Sequence, residues 1–231
     1  MTVIIIVHQC TLILYISITF SLLVNCQIPK EEIPAELQHL FDSDLSSWKP
    51  PADIRTNYPY YLSGFDEDNR PIWILEFGKW DIRSALEKGE DVAANLDKHI
   101  DTAIWNFLDS TKTRSTSEDP VTEFVVIIDA NGYSFHQLNS LQAVSFVIKK
   151  LKLITIATRF ASEVYAVNVN FVAEKLLTIL KPVLGQEFEK FMIFGTNANQ
   201  WIPRMLKKIP RSQLPEWYGG KANFKPVMVF G

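Results

Sequence analysis

Cysteine is almost absent from this 231-residue chain, and the two it has, Cys10 and Cys26, both lie near its beginning. The remainder has no disulfide framework and must rely on a hydrophobic core, which a chain of this length can supply alone. Charge is missing from residues 1–26 altogether, with no Asp, Glu, Lys or Arg. Histidine is scarce: His8, His39, His99 and His136 form no i,i+4 pair, so no metal site is expected. No glycine-rich phosphate cradle occurs, and no nucleotide or other cofactor is expected. Asn-x-Ser/Thr acceptors are also lacking, so glycosylation says nothing of the compartment. Neither charge sign dominates. A net charge of −3 lacks the basic footprint that nucleic-acid binding needs.

What the chain does have is apolar mass. Hydrophobic residues make up 47% and charged residues 21%, a balance that folds rather than staying disordered. Six Trp and fifteen Phe supply large apolar surfaces, for which plain core is the default use. Within residues 1–26 the apolar runs 4–7 and 12–24 read as the h-region of a signal peptide, with Val24 and Cys26 as the small residues before the cleavage point. Two other readings stay open: an uncleaved membrane anchor, since about 20 apolar residues span a bilayer, and a wrongly joined first exon. Cleavage would place the protein outside the cell or in the endomembrane lumen; the cytoplasm is the alternative.

Proline punctuates a short helical lead-in over residues 27–56, where a helix spanning 34–45 carries Leu37, Leu40, Phe41 and Leu45 on one face. A single larger domain is expected over 57–231. Its first strand candidate, 72–77, follows a turn at Asp66-Glu67-Asp68-Asn69, which lacks the Gly and terminal Glu of a calcium loop. Val92, Leu96, Ile100, Ala103, Ile104 and Phe107 recur at helical spacing, and 110–119 reads as a mobile polar surface loop. Residues 124–128 form a continuous apolar run, as a strand buried on both faces requires. A helix with Leu138, Leu141, Val144, Ile148 and Leu151 follows, then a strand at 163–168, a helix at 171–184, a strand at 191–194 and a helix at 198–208. Such alternation calls for βαβ crossovers and an α/β fold.

Five segments recur in a telling order. Tyr58-Pro59-Tyr60-Tyr61 leads to Asn69-Arg70-Pro71, and the run 124–129 leads into Asn131-Gly132-Tyr133-Ser134. Val164-Tyr165-Ala166-Val167-Asn168 precedes an apolar helix; Lys190-Phe191-Met192-Ile193-Phe194-Gly195 and Leu214-Pro215-Glu216-Trp217-Tyr218-Gly219-Gly220 complete the set. Together they resemble the CRAL-TRIO family of lipid-binding and phosphatidylinositol-transfer proteins. The resemblance implies a three-layer α/β fold whose mostly parallel sheet, flanked by helices, encloses an apolar lipid pocket. It also implies that the family's N-terminal helical bundle is truncated here to the lead-in.

The expected function is non-enzymatic binding, with transfer, of one hydrophobic ligand, a phospholipid or other lipid, between membranes. Partners would be that lipid and a transient membrane surface, with the protein a monomer. The resemblance places Ser134, Tyr165, Lys190, Phe171, Leu176 and Leu180 at the lipid. It makes 171–184 a gate helix, with Val172, Leu177 and Leu184 among its apolar residues. The wide apolar arc of that helix predicts burial of most of its circumference, and a plain core helix would show the same pattern. Trp201 with Arg204, Lys207 and Lys208 suits contact with an anionic bilayer, although solvated helix charges explain it equally.

Two departures from the family stand out. Its Pro-Glu-Arg signature falls on Thr158 and Arg159, and its Asn-Ala-Pro turn reads Asn168-Val169-Asn170. Loss of the acid predicts poor exchange of inositol lipids. Two other functions compete. One is a non-transferring interaction module with a collapsed pocket. The other is a serine hydrolase at Gly132-Tyr133-Ser134-Phe135-His136, opposed by His136 where a nucleophile elbow needs glycine and by the lack of any later histidine.

Overall fold

The computed structural model describes residues 28–230, so the leader considered for residues 1–26 lies outside them. One sheet organises the chain: β1 (Tyr60–Phe65), β2 (Pro71–Leu75), β3 (Phe124–Asp129), β4 (Ala161–Val167), β5 (Phe191–Ile193) and β6 (Met228–Phe230). Their spatial order is β5-β4-β3-β2-β1-β6. Strands β2 to β5 run parallel, while β1 is antiparallel to both β2 and β6. The sheet is therefore mixed but mostly parallel, as the alternation of elements requires.

Helices carry each parallel crossover. After α1 (Ala35–Phe41) and α2 (Ala52–Asn57), the link from β2 to β3 holds α3 (Ile82–Glu87) and α4 (Glu90–Asp109). Between β3 and β4 lie α5 (Phe135–Leu138) and α6 (Leu141–Ala157); α7 (Phe171–Leu184) joins β4 to β5, and α8 (Ala198–Met205) follows. The expected helix through Leu138 is broken at Asn139, because the Ser140 side chain caps α6 by accepting from the Ala143 amide at 3.2 Å.

Alternation along the strands sorts the core into two halves. Phe124 and Val126 of β3 face the side covered by α3, α4, α6 and α7. Val125 and Ile127 face the opposite side, with Trp201 and Met205 of α8 and with Leu214 and Tyr218. Three layers result. The lead-in adds to the first side: Leu37, Leu40 and Ile54 belong to the same core as Leu96 and Ile100 of α4. Asp44 pairs with Lys98 at 2.8 Å, and His99 Nε2 lies 2.9 Å from the Tyr58 carbonyl oxygen.

The polar segment from 110 is not wholly a surface loop. Ser110 is buried, and its hydroxyl accepts from Trp73 Nε1 at 3.0 Å. No helix among the described residues is long and apolar enough to cross a membrane.

Candidate functional site

The first side of the sheet is not filled. A cavity lies between the strands and helices α4, α6 and α7. Its floor is Phe124, Val126 and Ile128 of β3 with Val164 and Ala166 of β4, and Ile100, Ala103 and Phe107 of α4 form one wall. Alanines at 103, 166 and 173 leave space that larger side chains would fill. The empty space is about 1250 Å³ including solvent at the mouth, of which about 130 Å³ is open to the centre of a water molecule. An apolar cavity of about 150 Å³ holds benzene. The closed cavity therefore suits a small guest, and a full lipid chain requires the roof to move.

That roof is mainly α7. Ala173, Leu176, Leu180 and Leu184, spaced along one helical stripe, are buried beneath it, and Leu177 also borders the void. The expected burial of most of its circumference is not found. Phe171 is 61% exposed, Ile179 is exposed, and Val172 and Val183 are half-buried, because no described element packs over that side. Next to Phe171 stands Phe135, 51% exposed, with ring centroids 6.5 Å apart; Leu141 at the start of α6 is 83% exposed. Local chemistry sets the ends of α7. Asn170 accepts from the Ala173 amide at 2.9 Å and donates to the Tyr133 carbonyl at 2.8 Å, tying the helix start to the Gly132 turn. Gly185, at φ 55°, ends the helix in the left-handed region that glycine tolerates.

The structure separates the residues that the family pattern brings together. Leu176, Leu177, Leu180 and Leu184 line the cavity. Phe171 and Val172 do not: Phe171 stands on the outer side of α7 in water, and the half-buried Val172 packs against the core beside the void. Tyr165 points to the other face of the sheet, since side chains alternate and its neighbours Val164 and Ala166 take the cavity side. Its hydroxyl bonds Glu163 instead. Ser134 is exposed at the start of α5 and contributes nothing to the cavity wall. Lys190 Nζ donates to the carbonyls of Thr158 and Arg159 at 3.0 and 3.1 Å, satisfying the end of α6. Trp201 is only 2% exposed and packs against the sheet, so it cannot touch a membrane. Arg204, Lys207 and Lys208 are exposed, but on the layer opposite the cavity.

Sequence reasoning missed the polar group in the cavity wall. Lys150 of α6 is buried and pairs with Asp97 and Asp101 of α4, each at 2.8 Å. The signal was present: two acids at i,i+4 on α4 and a Lys149-Lys150 pair flanked by the apolar Ile148 and Leu151. Burial raises the Asp101 carboxyl pKa despite its bond to Lys150. At Asp97 burial also acts upward, but hydrogen bonds from Lys150 and Lys149 outweigh it and hold the carboxyl below its ordinary value. The three groups staple α4 to α6 beside the void.

Features of the competing hydrolase are arranged otherwise. His136 Nε2 lies 3.6 Å from Asp81, and the Ser134 hydroxyl makes no cap bond. Among the described residues no group of His, Cys, Asp and Glu could hold a metal ion.

Comparison with known proteins agrees with this geometry. The family model for the CRAL/TRIO domain matches residues 55–220, and the chain belongs to that family. It is 24% identical over 187 residues to CRAL-TRIO domain-containing protein T23G5.2 of Caenorhabditis elegans, covering 79% of this chain and 26% of that protein. Protein real-time of Anopheles gambiae is 25% identical over 206 residues, covering 84% of this chain and 28% of its own length. The chain thus spans between a quarter and a third of these relatives. Among solved structures, that of Sfh5 is similar with a TM-score of 0.51 and 14% identity, covering 83% of this chain and 64% of that one, a likeness of fold.

Proposed function

We propose that this chain, as a member of the CRAL/TRIO domain family, carries one lipophilic molecule between membranes beneath α7. The observation that carries the reading is that α7 roofs an apolar void with Leu176 and Leu180 while holding Phe171 and Ile179 in water among Glu174, Lys175, Thr178 and Lys181. Clustered apolar exposure marks a surface meant to be covered. Phe135 and Phe171 form such a pair where α5 and α7 begin, and Leu141 is exposed at the start of α6. Lys175 lies 4.8 Å from the Phe171 ring, a cation suited to lipid phosphates beside an aromatic suited to the interface.

At a bilayer these residues enter the headgroup region, α7 moves away from the sheet, and the void widens to admit a chain. Each buried methylene favours uptake by about 0.8 kcal/mol, so no catalytic group is needed. Inositol-lipid exchange should be poor, because Lys190 is engaged with two carbonyls and faces Glu187 at 3.7 Å. A cleaved leader would place this activity in the secretory lumen or outside the cell; without cleavage it would act in the cytoplasm.

The test is mass spectrometry of organic extracts of the protein purified from its native source, alongside transfer of labelled lipids between vesicles. Stoichiometric bound lipid is expected. A lipid-free protein that moves no lipid would refute carriage and leave a non-transferring interaction module.

A further inference from the structure

We infer that the cavity selects a lipid with no headgroup to bury: a long, wholly apolar hydrocarbon or isoprenoid chain. This deepens the carriage reading above and rests on it. Of the 28 residues around the void, only Trp80, Lys150 and Thr158 carry a polar side-chain atom. All three are engaged. Trp80 Nε1 donates to the Pro59 carbonyl at 3.2 Å, and the Thr158 hydroxyl donates to the Thr155 carbonyl at 2.7 Å. Lys150 Nζ is held between Asp97 and Asp101.

Backbone groups of the floor are equally occupied, since β2, β3 and β4 each have a strand on both sides. Among the described residues, the buried side-chain atoms without partners are Tyr61 Oη, His99 Nδ1, Ser162 Oγ and Trp201 Nε1. None of those residues borders the cavity. A phosphate, carboxylate or sugar hydroxyl brought inside would therefore lose its water and gain no partner. Recruiting Lys150 does not rescue an anionic head, because two carboxylates already hold the ammonium and would repel a third anion. The half-buried wall residues, among them Phe146, Leu151 and Leu177, are apolar too.

Three probes sharing one pyrene-tipped ten-carbon chain isolate the head: 1-decylpyrene, the matching pyrenyl-decanoic acid, and the single-chain phospholipid lysophosphatidylcholine bearing that acyl chain. Each is offered from cyclodextrin to the whole protein, and retained fluorescence is titrated. The control is Ala166→Phe, which fills the void from β4, with Ala103→Phe as a second filling variant should the first misfold. Decylpyrene should bind at least about tenfold tighter than either headed probe, and filling the void should abolish its retention. The acid or the phospholipid binding as tightly, still in a manner lost on filling, overturns this inference and leaves carriage standing. Retention of none of the three overturns carriage itself.

Discussion

The Tyr218 hydroxyl donates to Asp129 Oδ2 at 2.7 Å across 89 positions of sequence. The other carboxylate oxygen accepts from the Asn131 amide at 2.8 Å and from Asn168 Nδ2 at 2.9 Å. One side chain thus ties the ends of β3 and β4 to the Pro215 to Gly220 turn, and it holds Asn168 at φ 56°. Replacing Tyr218 by Phe leaves a buried carboxylate oxygen without its donor. Denaturant unfolding should register a loss of about 1–3 kcal/mol. Lipid uptake by the folded variant should be unchanged, since Tyr218 packs on the sheet face away from the cavity.

Alkaline pH should unfold the protein through its tyrosines. Burial pushes the phenols of Tyr58 and Tyr133 up from 10.0 to about 12, and raises that of Tyr218 through burial and the adjacent Asp129. The folded chain keeps these protons after the unfolded chain has released them. Stability is therefore full below pH 10 and declines between 10 and about 12. Melting temperatures taken in steps from neutral to strongly alkaline pH should hold to about 10, fall through that window and keep falling beyond it, because the Tyr218 phenol is raised further.

Filling the void separates carriage from folding. Ala166→Phe places a ring where the cavity lies. Overpacking a solid core costs about 1–3 kcal/mol, so a stability change of no more than about 1 kcal/mol is expected here. Calorimetry reads the first quantity and lipid retention the second; retention should be lost.

Docking should depend on the outer side of α7 and not on α8. Phe171→Glu removes an exposed aromatic worth about 1.5–3 kcal/mol when buried, so vesicle transfer should slow by about tenfold or more. Lys207→Gln with Lys208→Gln, on the opposite layer, should leave transfer within about twofold. The reverse pattern in a stopped-flow transfer assay would move the docking face to α8.

Lys150→Met strands Asp101 beside the cavity and leaves Asp97 with only the exposed Lys149. Removing one partner of a buried ion cluster costs about 3–5 kcal/mol, whereas neutralising the whole cluster is close to neutral. Chemical denaturation should accordingly find the triple variant Asp97→Asn, Asp101→Asn, Lys150→Met more stable than the single one.

Local signals determined a large part of this protein. The apolar run of β3 declared a strand buried on both faces. The span of α7 followed from neighbouring groups alone, with Asn170 capping its start and Gly185 stopping it. The short β6 and the six-residue α3 had no such signal, being too brief to display a period. A strand's alternation says that Val164 and Tyr165 face opposite ways, but not which of them meets the cavity. Only the placement of α7 and α8 on either side of the sheet decided that, and it buried Trp201 while leaving Phe171 in water. The same holds for Lys150, whose partners lie on another helix. A void is the least local property of all, being the space that residues from four strands and four helices together fail to fill.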